Sequence, residues 1–259
     1  MQHCEWRVSY ETSGTGPPDL PILRKYHQRH RTSKAGYLPQ FCVPIAGMNL
    51  PQQASNADRA DLDLDHDWII AQTQAWLSRA VIGLNLCPFA KAVMAHDQIR
   101  YVVSDATDEA ALLHALGGEL EHLARVEEQV TSTTLLVHPR VLADFDDFNQ
   151  FLGEADYMLA RAGFEGIFQL ASFHPNYQFA GATADDVSNA SNRSPYPTLH
   201  LLRETSVERA VAAFPDAAAI YETNIETLRS LGSAGWRKLM QQCQDNAQAL
   251  LQQRRESRG

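Results

Sequence analysis

Alternating helical and extended segments predict an α/β protein: a single domain with a mostly parallel sheet of about four strands in the order α-β-α-β-α-β-β, then C-terminal helices. Three observations carry this expectation. Amphipathic stretches of roughly 15–20 residues alternate with short strand-like runs, so the apolar period switches between 3.6 and 2. Glycines stand where the helical stripes stop. Two successive β-α-β units call for right-handed crossovers between parallel strands.

The first helix is read from Asp65, where acids precede a stripe of Ile69, Ile70, Trp76, Leu77, Val81 and Leu84, with Gly83 near its end. An extended run follows from Ile99 to Ser104. The next helix carries Leu112, Leu116, Leu120 and Leu123 on one face, despite Gly117 and Gly118, which cost about 1 kcal/mol each relative to alanine. Thr133 to Val137 reads as the second strand, Phe145 to Ala162 as a helix closed by Gly163, and Ile167 to Phe173 as the third strand. After a long polar loop, Thr198 to Arg203 forms the fourth strand. Three helices complete the chain, over about 206–214, 216–231 with Gly232 after it, and 234–254.

Residues 1–63 show neither apolar period and are rich in Gly, Pro, Ser, Gln and Asn, so they are expected to form a disordered N-terminal extension. The domain then spans 64–245, and 246–259 is a polar C-terminal tail expected to fray.

Charge excludes one large class of partner. Residues 1–60 carry seven Lys/Arg against four Asp/Glu, which leaves the remainder at −12 out of a total of −9. A body so acidic, with no basic stripe interleaved with aromatics, repels phosphate backbones, and no nucleic-acid partner is expected. Apolar runs fall well short of the ~20 residues that cross a bilayer, and the N-terminus lacks a signal-peptide pattern. Cys4, Cys42, Cys87 and Cys243 are scattered, without a CxxC pair, as in reduced thiols. The expected location is the cytoplasm, with no membrane partner.

A parallel sheet presents the C-terminal ends of its strands at one rim, where open α/β sheets bind ligands. The second strand runs into His138-Pro139 and the third into His174-Pro175. Each histidine has a bland alternative, in which it ends a strand and bonds a backbone carbonyl. Two in equivalent positions on a binding rim are a candidate functional pair beside that alternative, because imidazole is both the proton carrier near neutral pH and the commonest metal ligand.

Asn176 and Tyr177 open a polar loop that closes through Asn192, Arg193 and Tyr196. A loop this long in a compact domain is usually functional or disordered, and its aromatics and prolines favour the former. Alternation along the fourth strand puts His200, Leu202 and Glu204 on one face, with Glu204 placed to orient a His or an Arg or else to pair with Arg203 at the surface. Cys87, in a Cys-Pro step at a helix start, is either a reactive thiolate of depressed pKa or a buried small apolar residue.

Three segments carry a resemblance: Gly-Leu-Asn-Leu-Cys-Pro-Phe-Ala-Lys at 83–91, Ser-Phe-His-Pro-Asn-Tyr-Gln-Phe-Ala-Gly at 172–181, and Asn-Arg-Ser-Pro-Tyr-Pro-Thr-Leu-His-Leu-Leu-Arg-Glu at 192–204. Together they resemble a family of bacterial proteins that is a domain of unknown function, over about residues 66–245. The resemblance implies a domain boundary and no reaction, cofactor or catalytic residue.

Three functional readings follow from the residues. The first is a small-molecule enzyme in which His174 is the general acid/base, Arg193 clamps an anionic substrate, Cys87 is nucleophile or ligand and Glu204 orients. His138, Asn176, Tyr177, Asn192 and Tyr196 then line its substrate pocket. The second is a metal site on His138 and His174, with Cys87 or His200 and Glu204 nearby. The third is a binding module whose loop holds a ligand without turnover. No nucleotide-binding, hydrolase or metalloprotease signature is present, and no motif names a cofactor.

Overall fold

A computed structural model of the chain describes residues 65–213 and 219–256, apart from the side chain of Arg255. The N-terminal extension expected at 1–63 lies outside the described residues.

The element order follows the sequence reading in outline, with a short helix added before the first strand: α1 (His66–Trp76), α2 (Ala90–Ala95), β1 (Ile99–Val103), α3 (Glu109–Arg125), β2 (Thr133–Val137), α4 (Phe145–Arg161), β3 (Phe168–Phe173), β4 (Thr198–Arg203), α5 (Glu204–Ala212) and α6 (Ala219–Glu256). Aspartates start the helices as the capping rule requires. The Asp65, Asp108 and Asp144 carboxylates accept from backbone N–H groups in the first turns of α1, α3 and α4. Beyond Trp76 the coil of α1 widens to π-helical turns over Leu77–Ile82 and stops at Gly83. A Cβ on Gly83 would overlap the Arg79 carbonyl oxygen, so only glycine fits this exit. In α6, Gly232 takes φ 70° and divides the helix into the two segments that the sequence reading places on either side of it.

The sheet is mixed, and this corrects the expectation of a mostly parallel one. Its order is β1-β2-β4-β3. β1 and β2 run parallel, in register from Ile99 opposite Thr133 to Val103 opposite Val137. β4 runs antiparallel to both neighbours, so that Thr198 lies opposite Val137 on one side and Phe173 on the other. The physical reason lies in the connections. Helical crossovers carry the chain back before β2 and β3, whereas the segment between β3 and β4 never recrosses the sheet, so β4 starts at the rim where β3 ended.

Helices cover both faces. Leu112, Leu116, Leu120 and Leu123 of α3 and Phe148, Phe151 and Leu152 of α4 pack on Leu136, Leu199, Leu201 and Phe168. On the other face Trp76, Leu77 and Val81 meet Leu135, Leu228 and Trp236. Leu135 and Leu136 thus point to opposite sides of the sheet, the alternation that a strand demands, and β2 is buried along its whole length. Further along α6, Cys243 and Ala247 pack against Ala71 and Ala75, small side chains that let the two helices approach closely. The helix continues past 245, through residues the sequence reading assigns to the tail, with Ala247 fully buried. No helix among the described residues is long and apolar enough to cross a membrane.

Candidate functional site

Since β2, β3 and the start of β4 meet at one rim, the two histidines do come together. The backbone N–H of His138 donates to the Pro197 carbonyl at 3.0 Å, and that of His174 to the Asn192 carbonyl at 3.2 Å. Both imidazoles are fully buried beneath the rim on the α4 side. Phe148 separates them, stacked on His174 with ring centroids 5.2 Å apart and 5.6 Å from the ring of His138.

Their hydrogen bonds define their states. His138 Nδ1 lies 3.1 Å from the Val141 carbonyl oxygen, so that nitrogen must carry the proton. His174 Nε2 donates to the Leu142 carbonyl at 3.2 Å, and its Nδ1 accepts from the Asn176 N–H at 3.0 Å. Burial pushes His138 down to about 4 and also lowers His174, so both rings are neutral at physiological pH. The two side chains therefore hold residues 141 and 142 to the rim.

The long loop is ordered by side-chain bonds to its own backbone. Asn189, fully buried, accepts from Phe179 N–H at 3.0 Å and donates to the Thr183 carbonyl at 2.8 Å, joining its two halves. Asn192 reaches the Ser172 carbonyl through Nδ2 at 3.3 Å. Tyr177 is buried, with its ring 5.1 Å from Phe145 and 5.0 Å from Phe179. Asn176 is exposed and takes part through its backbone.

Arg193 sits at the centre of the loop. Its Nε donates to the Tyr177 carbonyl at 3.1 Å and its Nη2 to the Ala184 carbonyl at 2.6 Å. Burial alone shifts its pKa, downward, and no carboxylate pairs with it among the described residues. The hydroxyl of Tyr196 donates to Gln72 Oε1 on α1.

Arg193 and Tyr196 line a cavity of about 610 Å³ between the loop, α1 and α6. Trp68 and Gln72 come from α1, and Trp236, Met240 and Gln244 from α6. The sequence reading missed all five. Trp68 and Trp236 are the visible signal, since one large aromatic lies in the first turn of α1 and the other just past the Gly232 break of α6, two places whose meeting no local pattern reveals.

Other candidates lie elsewhere. Glu204 follows the end of β4, and because β4 runs antiparallel it sits at the edge opposite the histidines, its N–H bonded to the Ile167 carbonyl at 2.9 Å. His200 is mid-strand, with Nε2 2.7 Å from Thr133 Oγ1, and burial lowers it to about 4. Cys87 packs with the Trp76 cluster on the other face, where burial raises its pKa, the reverse of the shift a reactive thiolate needs. Among the described residues no group of three or more His, Cys, Asp and Glu is arranged to hold a metal ion.

Fold and cavity together define a three-layer α/β domain with an arginine-bearing pocket beside the sheet rim. A family model described as a protein of unknown function (DUF1415) matches residues 68–238, and the chain belongs to that family. The match takes in the rim histidines, the loop and all of the cavity wall except Met240, Cys243 and Gln244. No curated protein and no solved structure matches the chain.

Proposed function

We propose that this domain binds a small anionic molecule in the cavity between α1, α6 and the loop, with Arg193 as its counter-charge. One observation carries the reading: a half-buried guanidinium stands at the wall of a cavity without an acid to neutralise it among the described residues. Two backbone carbonyls take up part of its donor capacity but none of its charge, which an anion in the cavity would neutralise. Aromatic side chains beside a single charge are the composition of a small-molecule pocket.

Recognition without turnover is the form of this reading that the chemistry favours. His138 and His174 are committed to backbone carbonyls, and burial raises the thiols of Cys87 and Cys243 as well as the phenol of Tyr196. None of these is poised to move a proton near neutral pH. The free thiols of Cys87 and Cys243 support a reducing, cytoplasmic setting, and the acidic body argues against nucleic acid as the anion.

Thermal unfolding of the full chain, followed across a panel of small carboxylates and phosphates, tests the proposal. A saturable rise in Tm that is lost in Arg193→Met supports it. Equal stabilisation of the wild type and the variant would show that the anion binds elsewhere.

A further inference from the structure

Resting on the anion-binding reading, we infer that the ligand is a planar aromatic monocarboxylate and not a phosphorylated compound. The charge of the cavity sets the first limit. Among the described residues that line it, Arg193 is the one charged side chain, the remainder being Trp, Tyr, Met, Cys, Pro, Ser and Gln. One positive charge neutralises one carboxylate. A phosphate monoester, at about −1.5 to −2, would leave surplus negative charge in a partly desolvated pocket.

The nearest helix start reinforces that limit. Phosphate sites usually draw on free N–H groups at a helix N-terminus. Trp68 lies in the first turn of α1, but its N–H already donates to the Asp65 carboxylate at 2.9 Å, and Asp67 adds a second acid to that turn. This end of the helix repels a dianion.

The hydrogen bonds of Arg193 define how an acid would dock. A guanidinium has five N–H groups. The Nε–Nη2 side is occupied by the carbonyls of Tyr177 and Ala184, which leaves three N–H groups, on Nη1 and Nη2, to face an acceptor end-on. Two of them match the spacing of one carboxylate.

Aromatic walls set the shape. Trp68, Tyr196 and Trp236 line the cavity together. Tyr196 is held by its hydroxyl bond to Gln72 Oε1 on α1. A pre-held aromatic surface favours a flat ring, which gains stacking and edge contacts without ordering the wall on binding.

Titration calorimetry of the full chain with indole-3-acetate, cyclohexaneacetate and phenyl phosphate tests the class. Indole-3-acetate should bind saturably, with a change in tryptophan fluorescence, and at least tenfold more tightly than either of the others. Equal or tighter binding of phenyl phosphate would overturn the carboxylate assignment while leaving the anion site standing. Equal binding of cyclohexaneacetate would overturn the planar-ring assignment alone. Failure of all three probes to bind at millimolar concentration would overturn this inference, while the reading beneath it falls only if the panel of small carboxylates and phosphates also fails to raise Tm. Because Arg193 also supports the loop, Gln244→Glu on the exposed side of α6 provides a second variant. Adding an acid to the cavity wall should weaken indole-3-acetate at least tenfold without unfolding the chain, and unchanged affinity would place the ligand outside this cavity.

Discussion

The imidazole of His174 donates to the backbone carbonyl of Leu142 at 3.2 Å, a contact between the loops that follow β3 and β2. Leu142 adopts φ 59°, a left-handed conformation that costs an ordinary L-residue about 1–2 kcal/mol. The bond from the neighbouring loop helps to hold it there. His174→Ala is predicted to destabilise the domain by about 1–3 kcal/mol, because the buried Leu142 carbonyl and the Asn176 N–H both lose their partner. Urea unfolding measures this, and a loss below about 0.5 kcal/mol would return His174 to the role of a rim residue free for chemistry.

A pH dependence follows from His138 and His200, each pushed by burial to about 4. Both are neutral in the folded chain, whereas an unfolded imidazole titrates near 6.5. Their folded pKa values are depressed, so the unfolded chain takes up protons first as the medium acidifies. Stability is therefore fully present above about pH 6.5 and lost as pH falls toward 4, by about 2 kcal/mol per histidine at pH 5. Tm recorded from pH 7.5 to 4.5 should fall most steeply below pH 6, and His200→Asn should make the fall shallower. A flat profile down to pH 5 contradicts the neutral, buried state of both rings.

Arg193→Lys keeps the charge but loses the fork. A single ammonium cannot reproduce the two bonds to the Tyr177 and Ala184 carbonyls and still face an anion. The expected result is at least a tenfold loss of affinity for the anionic probe together with a stability loss of about 1–2 kcal/mol. Wild-type affinity in a folded variant would remove Arg193 from the binding site.

For Cys87 the prediction is slow chemistry. Burial raises its pKa, so little thiolate exists at pH 8. Its reaction with a disulfide reagent should be at least tenfold slower in the folded chain than in the denatured one, with Cys87→Ser as the control that identifies the signal. Faster reaction in the folded state would restore the activated-thiolate reading.

Much of the fold was legible in the chain itself, because local pattern and burial agree. The leucines of α3 lie four or three apart and all four are fully buried, and each of the helix starts at Asp65, Asp108 and Asp144 carries its cap in the sequence. Strand direction was not legible. The alternation of Leu199 and Leu201 is the same whether β4 runs up or down, since period 2 records which face a side chain takes and not which way the strand points.

That one ambiguity governed the candidate site. With β4 antiparallel, Glu204 leaves the rim, and His138 and His174 stay on it because both follow strands that run the same way. Local sequence also placed Asn176, Tyr177, Asn192, Arg193 and Tyr196 in one loop, as adjacency in the chain requires. It could not pair that loop with Trp68, Gln72, Trp236 and Met240, which lie over 30 residues away along the chain and meet it only where α1 and α6 pack. The sequence by itself determined the elements, their caps and the loop's polar residues, since these depend on neighbours within a few positions. Tertiary structure alone decided which imidazole nitrogens are spent on backbone, which face takes Cys87 and that Arg193 borders a cavity, because each depends on contacts between segments distant along the chain.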